Sequence, residues 1–363
     1  MKEEKNSMQS KVYFLPASGE ESNETLAKKT EKVFLHLGLE ETIDKNSLVG
    51  IKIHFGEKSN TGYIKPPWLL HLIERLKKKK AKVFLTDTNT LYIGNRSNSV
   101  DHLRLASEHG FSLEALGVPV IIADGLIGRD SDEVEVNLDR VKSAKIASTF
   151  LNTDLLICLS HFTGHVLSGF GAAIKNLSMG CASRAGKLEQ HSDVHPWVNP
   201  KVCTNCSICF EYCPADAIEQ QGGSARIIEE KCIGCGECLV VCNVGAVKMR
   251  WDGDALRVQE KMAEYATAVV QGIKQGAGFI NFLIRITKDC DCMSEDGKLI
   301  ADDLGILGSV DPIAVDKASV DLLMEESGKD FLRAANDVDW SVQLRHGQEI
   351  GLGSMDYELI RLT

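Results

Sequence analysis

Apolar and polar positions along the chain repeat with two periods, and the order of these periods predicts the fold class. Short runs of β-branched and other apolar residues are typical of buried strands, whereas apolar residues three and four positions apart indicate amphipathic helices. Strands are predicted over residues 11–15, 48–55, 82–86, 118–123, 154–160, 279–287 and 355–361. Helices are predicted over residues 24–37, 66–79, 100–109, 259–274 and 312–324. This alternation predicts a layered α/β domain with a mainly parallel sheet.

The periodic pattern stops between residues 197 and 250, where cysteines become the dominant feature. The chain has 12 cysteines, and most of them form two groups with the same internal spacing. The groups are Cys203, Cys206, Cys209 and Cys213, followed by Cys232, Cys235, Cys238 and Cys242. Each member of the second group follows its counterpart by 29 residues, which indicates an internal duplication.

The spacing within each group is typical of iron–sulfur ligands. A loop with a cysteine at every third position can supply three corners of a cubane cluster, and the fourth thiolate comes from the other group. We assign one [4Fe-4S] cluster to Cys203, Cys206, Cys209 and Cys242, and the other to Cys232, Cys235, Cys238 and Cys213. Four-cysteine zinc sites are the alternative, but they use paired ligands and need no third cysteine at the same short spacing. Residues 197–250 therefore resemble bacterial-type ferredoxins that carry two [4Fe-4S] clusters, which implies a small α+β domain.

The simplest domain organisation is a discontinuous α/β host that carries this ferredoxin-like module as an insertion. The host is predicted over residues 1–196 and 251–363, and the module over residues 197–250. Two separate flanking domains are the alternative, but the second host segment is short for an independent hydrophobic core.

Several segments of the host are similar to those of a widespread family of uncharacterised iron–sulfur-centre proteins. They are residues 52–56 (KIHFG), 160–165 (SHFTGH), 169–177 (GFGAAIKNL), 179–183 (MGCAS), 289–292 (DCDC), 303–306 (DLGI) and 311–312 (DP). The resemblance covers nearly the whole chain and implies the same architecture, with the ferredoxin module in the family's usual place. It implies no particular reaction, because the reaction of that family is not established.

The host contains four polar residues that we consider candidates for catalysis or ligand binding: His161, His165, Lys175 and Asn176. Glycines at positions 164, 169 and 171 precede a predicted helix that contains Lys175 and Asn176. Free N–H groups and the helix dipole make such a helix start a candidate site for a small anionic ligand. The alternative is that these glycines serve tight turns and close packing.

A possible additional metal site in the host would draw on Cys290, Cys292, Cys181, His161 and His165. Thiolates and imidazoles are ligands that zinc and iron accept. On a regular strand, Cys290 and Cys292 would lie about 6.6 Å apart, so both could bind one ion only at a bend. The alternatives are two ordinary reduced thiols or a redox pair.

Composition and charge restrict the class of protein. Hydrophobic residues make up 44% and charged residues 25%, the net charge is −10 and the pI is about 5.5. This composition argues against a disordered chain, and the acidic balance argues against nucleic-acid binding. No apolar run approaches the roughly 18 residues of a membrane span, and residues 1–10 lack the apolar segment of a signal peptide, so we expect a cytoplasmic protein. Two oxidised clusters with their thiolates would bring the charge to about −14, which favours a redox protein partner with a basic face.

Three hypotheses of function follow from these features. The leading one is an iron–sulfur electron-transfer protein, in which two [4Fe-4S] clusters pass single electrons to or from a site in the α/β host. The second is a non-catalytic host that binds a metal or an anion, with the clusters as a redox sensor or scaffold. The third is an enzyme whose clusters are structural only. Whether the protein is an enzyme stays open, and the candidate class of enzyme is an oxidoreductase of unknown substrate.

Overall fold

An eight-stranded sheet forms the centre of the structure. The computed structural model describes residues 9–191, 195–248 and 254–363. The strands of the sheet are β1 (Ser10–Pro16), β2 (Leu48–Ile53), β3 (Lys82–Asp87), β4 (Val120–Ile122), β5 (Leu155–His161), β6 (Ala277–Leu283), β7 (Gly305–Ser309) and β8 (Tyr357–Arg361). Their order is β8-β1-β7-β6-β5-β2-β3-β4, and all neighbouring pairs are parallel except the two that β7 makes. The predicted α/β class with a mainly parallel sheet is confirmed.

The strand order reverses beside β2. From β2 the chain first forms β3 and β4 on one side, and it then returns to place β5 on the other side of β2. The register pairs Ile53 of β2 with Leu159 of β5, so the carboxyl ends of the two strands lie side by side. The connections that leave such neighbouring ends run in opposite directions and open a crevice between them.

Helices cover both faces of the sheet. They are α1 (Asn23–His36), α2 (Leu70–Lys78), α3 (Ser99–Glu108), α4 (Ala173–Cys181), α5 (Arg184–His191), α6 (Ala255–Gly272), α7 (Pro312–Ser327), α8 (Phe331–Asn336) and α9 (Val342–Glu349). One hydrophobic core contains residues of α1 and α2, and the other contains residues of α4, α6 and α7. Alternate residues of the strands enter the two cores, because successive side chains of a strand point to opposite faces. Within the described part of the chain, no helix has the length and apolar character needed to cross a membrane.

Shorter elements connect this framework. The short helices are Leu39–Thr42, Pro66–Leu69, Leu113–Leu116, Ser148–Leu151, Ile208–Glu211 and Glu237–Val241. The additional strands form four two-stranded antiparallel pairs: Ser131–Glu135 with Ser143–Ala147, Thr163–His165 with Gly169–Gly171, Trp197–Val198 with Val247–Lys248, and Ile218–Gln221 with Ser224–Ile227.

The cysteine-rich segment between residues 197 and 248 contributes no strand to the eight-stranded sheet. Its residues Ile218, Ile227 and Leu239 belong to a small third core, which also includes Leu91 and Leu188 from outside the segment. Strands from before and after this segment lie next to each other in the central sheet, as β5 beside β6 shows. The domain boundaries at 196/197 and 250/251 remain predictions, and the second boundary falls in residues 249–253, which lie outside the described residues. The absence of a signal peptide was predicted from residues 1–10, and residues 1–8 also lie outside the described residues.

Each of the seven predicted strands and five predicted helices matches an observed element, with shifts at their ends. The strand predicted over 279–287 ends at Leu283, because Arg285 adopts a left-handed conformation with φ of 57° that no regular strand contains. The helix predicted over 66–79 begins with the 3₁₀ turn Pro66–Leu69 before α2. The antiparallel strand β7 and the helices α5, α8 and α9 have no counterpart among the predicted elements.

Candidate functional site

A cavity of about 770 Å³ lies at the carboxyl ends of β2, β3 and β5, where the strand order reverses. It contains six of the predicted site residues: His161, His165, Lys175, Asn176, Cys290 and Cys292. Large apolar side chains that line the cavity are also exposed, namely Ile93 at 51%, Val166 at 63% and Met293 at 54%. These three residues therefore mark the mouth of the cavity.

Two neighbouring strand ends place a buried ion pair in the cavity wall. Lys52 near the end of β2 lies 2.9 Å from Asp87 at the end of β3, and both side chains are at most 4% exposed. Burial opposes the charge of Asp87, but Lys52 and the nearby basic side chains hold its carboxyl pKa well below the usual range. Asp87 is also 3.7 Å from Arg96, whose guanidinium pairs with Glu57 at 3.1 Å. This network provides fixed charges of both signs at the base of the cavity.

Asn176 connects helix α4 to the strand ends. Its side-chain oxygen accepts a hydrogen bond from Lys52 Nζ at 2.6 Å, and its amide nitrogen donates to the Leu159 carbonyl at 2.9 Å and to Ser160 Oγ at 3.0 Å. All polar atoms of the side chain are therefore used within the protein. Asn176 therefore positions Lys52 and α4, and its side-chain amide is not available to bind a ligand.

The start of α4 is already bound to a carboxylate from another helix. Asp316 of α7 accepts hydrogen bonds from the backbone N–H groups of Ala173 and Ile174, each at 2.9 Å, and from Asn281 at 2.7 Å. A side chain of the protein therefore occupies two of the N–H donors that the predicted anion site at this helix start would use. Lys175 extends into the cavity instead, and burial lowers the pKa of its amine to about 8.

His161 at the end of β5 uses both ring nitrogens within the protein. Nδ1 lies 2.8 Å from Asp291 Oδ2, and Nε2 lies 2.8 Å from the carbonyl of Ile284. Burial disfavours the charged ring, but the Asp291 carboxylate and these hydrogen bonds raise the His161 pKa above its ordinary value. Both neighbours of the His161 ring are hydrogen-bond acceptors, so the charged ring is favoured. In this form His161 cannot bind a metal ion, because a ligand needs a free nitrogen lone pair.

His165 adopts the opposite protonation state. Its Nδ1 accepts hydrogen bonds from Ser168 N at 3.2 Å and from Leu167 N at 3.3 Å, and it lies 2.9 Å from Ser168 Oγ. Burial holds the pKa of His165 well below its ordinary value. The neutral ring therefore carries its proton on Nε2.

The thiols of the possible additional metal site also have other partners. The Sγ atoms of Cys290 and Cys292 form a disulfide, with their Cα atoms 5.3 Å apart. Cys181 is buried outside the cavity lining and contacts the Asn176 carbonyl at 3.7 Å, and burial raises its thiol pKa well above the ordinary value. In the part of the chain that the structure describes, no group of three or more His, Cys, Asp or Glu side chains could hold a single metal ion.

The 29-residue duplication is visible in the backbone of the cysteine-rich segment. Left-handed residues recur at the same positions of each repeat: Asn205 and Gly234, Ser207 and Gly236, Asp216 and Gly245. The N–H of Ala217 approaches Cys213 Sγ at 3.3 Å, and the N–H of Ala246 approaches Cys242 Sγ at 3.1 Å. The two halves therefore present their sulfurs in equivalent ways.

The two repeats are also interleaved. Asn199 N donates to the Ala246 carbonyl, and Ile228 N donates to the Ala217 carbonyl, each at 2.8 Å. The start of each repeat thus pairs with the end of the other. The fourth cysteine of each repeat lies four residues before the residue that accepts this hydrogen bond.

The cysteine sulfurs lie close enough together to interact electrostatically, both within and between the two repeats. Burial raises the pKa of Cys209 to about 11 and raises that of Cys238 further, and neighbouring sulfurs add to both shifts. The sulfurs acting on Cys209 are those of Cys242, Cys206 and Cys203, and those acting on Cys238 are Cys235, Cys232, Cys209 and Cys213. Crowded, buried thiolates need positive charge to form, and the irons of a cubane supply it while each binds a different thiolate. The residues present fit iron–sulfur clusters.

A buried contact joins the second cysteine group to the host. Glu237, between Cys235 and Cys238, lies 3.0 Å from Arg184 of α5 and 2.9 Å from Arg129. Arg184 and Glu237 are at most 2% exposed. Leu91 belongs to the small core of the cysteine-rich segment and also lines the cavity. The cavity and the second cysteine group therefore share a wall.

Sequence reasoning missed several residues of this site, above all Asp87, Arg96, Tyr92, Asp291 and Asp316. The signal for Asp87 was present, because an acidic residue directly after a buried strand lies at the carboxyl edge of a parallel sheet. Asp316 gave no such signal, since it lies inside a helix and 143 residues from the backbone it binds.

Comparison with known proteins gives short matches to iron–sulfur proteins. The chain is 44% identical over 52 residues to "Uncharacterized ferredoxin MJ0265" of Methanocaldococcus jannaschii, a match that covers 14% of this chain and 31% of that protein. It is 38% identical over 58 residues to "Pyruvate synthase subunit PorD" of Thermotoga maritima, covering 16% of this chain and 59% of that protein. The matches therefore span less than two thirds of either relative.

A solved structure with a remote likeness is the lactate racemase apoprotein from Thermoanaerobacterium thermosaccharolyticum, at 14% identity and a TM-score of 0.38, covering 76% of this chain and 51% of that one. A likeness of this size supports no inference about this chain. The family comparison is more extensive, because the model of the domain of unknown function DUF362 matches residues 49–321. This range includes the cavity and both cysteine groups and spans well over half of the chain. The chain therefore belongs to the DUF362 family.

Proposed function

We propose that this protein transfers electrons through two [4Fe-4S] clusters, which pass single electrons to or from the cavity of the α/β host. The observation that carries the proposal is the interleaving of the two repeats, which supports a fourth ligand from the other repeat for each group of three cysteines. When bound, the clusters supply one-electron redox chemistry. The short relatives named as ferredoxin and as a pyruvate synthase subunit agree with this class of protein.

The protein's own groups tune such clusters. The backbone N–H groups of Ala217 and Ala246 point at the sulfurs of Cys213 and Cys242, and Ala225 N approaches Cys203 Sγ at 3.5 Å. N–H groups directed at cluster sulfurs stabilise the more negative, reduced state, and the surrounding apolar core limits access of water. We propose that these contacts set the potentials of the two clusters.

The partner is proposed to be a redox protein with a basic face. The chain has a net charge of −10, and two oxidised clusters would take it to about −14. Complementary charge accelerates the encounter of redox proteins and orients them. Nucleic acid is not a suitable partner for the same reason.

Metal analysis of anaerobically prepared protein tests the cofactor. Two clusters require about eight irons and eight sulfides per chain, together with electron paramagnetic resonance signals of reduced [4Fe-4S] centres. Zinc in place of iron, or about one iron per chain, would contradict the proposal.

Pairs of cysteine substitutions test the exchange of fourth ligands. Cys203→Ser/Cys242→Ser removes two ligands of one cluster and should leave about four irons. Cys203→Ser/Cys213→Ser removes the same number of thiols but one ligand from each cluster, so both clusters should be weakened and the iron content should fall further. The opposite ranking would mean that each group of four consecutive cysteines holds its own cluster.

A second proposal concerns a small anionic ligand in the cavity. Lys175 Nζ has no hydrogen-bond or ion-pair partner among the described residues, whereas the neighbouring amines of Lys52 and Lys187 each have two. A pKa of about 8 leaves most of this amine charged at pH 7. Such a host would suit the non-catalytic alternative, in which the clusters act as a redox sensor or scaffold.

Calorimetric titration of the loaded protein with inorganic phosphate and with acetate tests this second proposal. Lys175→Met should weaken binding at least about tenfold, because a charge-assisted contact is lost. Lys58→Met is the matched control, since Lys58 also lines the cavity but is exposed to solvent. Equal affinities in the two variants would contradict a role of Lys175.

A further inference from the structure

The Cys290–Cys292 disulfide lies in the wall of the cavity, in the loop after β6. The loop bends, so that the Cα atoms are 5.3 Å apart instead of the roughly 6.6 Å of a regular strand. A disulfide stabilises a fold mainly by restricting the unfolded chain, and this effect is smallest for the shortest loops. A bridge between residues two positions apart is therefore poorly suited to a structural role.

The loop is anchored by the residue between the two cysteines. Asp291 is 6% exposed, its carboxylate binds His161, and its carbonyl accepts a hydrogen bond from Glu57 N at 3.1 Å. Cys290 itself is 8% exposed, whereas Cys292 is half-buried. The sulfur atoms are thus held at a fixed place in the cavity wall, with Cys292 the more accessible of the two.

A continuous set of contacts connects this disulfide with the second cysteine group. Gly236, between Cys235 and Cys238, packs directly on Leu91, since a Cβ at position 236 would lie 2.9 Å from Leu91 Cδ1. The next residue along the chain is Tyr92, whose hydroxyl donates to the Cys292 carbonyl at 3.0 Å. Two covalently joined residues therefore span the wall between the cluster loop and the disulfide.

We propose that the Cys290–Cys292 disulfide is a redox centre of the cavity that is reduced by electrons from the two clusters, an inference that rests on the proposed electron-transfer function. The disulfide accepts two electrons, one from each reduced [4Fe-4S] cluster, and two protons from solvent; the S–S bond breaks and two thiols form. The number of clusters thus matches the two-electron requirement of the bond. The resulting dithiol is a two-electron reductant in the cavity wall.

Residue-specific alkylation of the full, cluster-loaded chain tests this inference. The protein is treated anaerobically with about two equivalents of dithionite per cluster, quenched in acid, unfolded and labelled with N-ethylmaleimide. The mass of the peptide that contains Cys290 and Cys292 is then measured by mass spectrometry. The peptide should be unlabelled before reduction and doubly labelled after it. In Cys235→Ser, which removes a ligand of the nearer cluster, the doubly labelled peptide should appear at least about tenfold more slowly with time of reduction.

Electron counting gives an independent readout. Wild-type protein should take up about four electrons per chain, and Cys290→Ser/Cys292→Ser about two, with unchanged cluster spectra. Cys158→Ala is the matched control, because Cys158 is a buried thiol in β5 without a disulfide partner, and it should retain about four.

The possible failures are distinguishable. Clusters that are present and reducible while the peptide stays unlabelled would refute the disulfide centre and leave the electron-transfer proposal intact. Full labelling before reduction, or equally fast labelling in Cys235→Ser, would refute it as well. Absence of iron from the protein would refute the proposed function itself.

Discussion

At the scale of single residues, the structure changes the roles of the histidines that the sequence singled out. His161 was a candidate for catalysis and for metal binding, but both of its ring nitrogens are occupied by Asp291 and the Ile284 carbonyl. The sequence could not reveal this, because Asp291 lies 130 residues away and the pairing depends on how the loop after β6 returns to β5. What the sequence did identify is the location, since the carboxyl end of a buried parallel strand lines a crevice.

The His161–Asp291 pair predicts a pH-dependent stability. The His161 pKa is raised, so the stabilisation by the charged ring is fully present below the unfolded value of about 6.5 and is lost as pH rises through the folded value. The Asp291 pKa is lowered, so its contribution is present above its unfolded value and is lost as pH falls through the folded one. Asp291→Asn should therefore lower the melting temperature by several degrees at pH 5.5 and by less at pH 8.5.

Scanning calorimetry at the two pH values measures this difference. Asp289→Asn is the matched control, because Asp289 belongs to the same loop but contacts no histidine in the hydrogen bonds of the described residues. A decrease that is equal at both pH values would show that His161 is not charged in the folded protein.

At the scale of secondary-structure elements, periodicity identified the framework but not the contacts that fix it. The strands of the parallel sheet are continuous apolar runs, which is why β2, β3 and β5 were recognised. β7 was missed because its sequence, Gly305–Ser309, contains two glycines among five residues and resembles a turn. The orientation of α4 was likewise hidden, since its cap is Asp316 of α7 and not a local residue.

The remote cap of α4 predicts a difference between two aspartates of α7. Asp311 caps its own helix through Ile313 N and Ala314 N, and loss of this cap in Asp311→Ala should cost about 0.5–2 kcal/mol. Its carboxylate also accepts hydrogen bonds from Ser10 Oγ and Ser354 N, which are part-buried. Asp316→Ala leaves two buried N–H groups without an acceptor and should cost more, about 1–3 kcal/mol for each unsatisfied donor.

Hydrogen exchange at the amides of Ala173 and Ile174 separates local from global effects. Exchange should accelerate in Asp316→Ala and stay near the wild-type rate in Asp311→Ala, because only Asp316 binds these amides. Acceleration of the same size in both variants would mean that the cap acts only through overall stability.

At the scale of the whole molecule, the proposed passage of electrons to the cavity depends on how the cysteine-rich segment contacts the host. The duplication and its ligand spacing were readable from the sequence, since both are local patterns. The docking of the segment was not, because it depends on Arg129 and Arg184, which lie in the host and carry no motif. Both guanidinium groups meet at one carboxylate, Glu237, which lies within the cysteine spacing itself.

Glu237 is therefore expected to hold the cysteine-rich segment against the host. Glu237→Gln leaves the buried Arg184 guanidinium without its counter-charge, and breaking a buried pair in this way costs about 3–5 kcal/mol. Glu219→Gln is the matched control, because Glu219 pairs with Arg226 on the surface of the same segment, where such a pair is worth about 0–1 kcal/mol.

Limited proteolysis of the cluster-loaded protein should cut Glu237→Gln faster between residues 197 and 248 than wild type or Glu219→Gln. The same variant should retain its iron but reduce the Cys290–Cys292 disulfide more slowly, because Gly236 would no longer be held on Leu91. Iron loss without faster cleavage would instead show that Glu237 supports the cluster and not the docking.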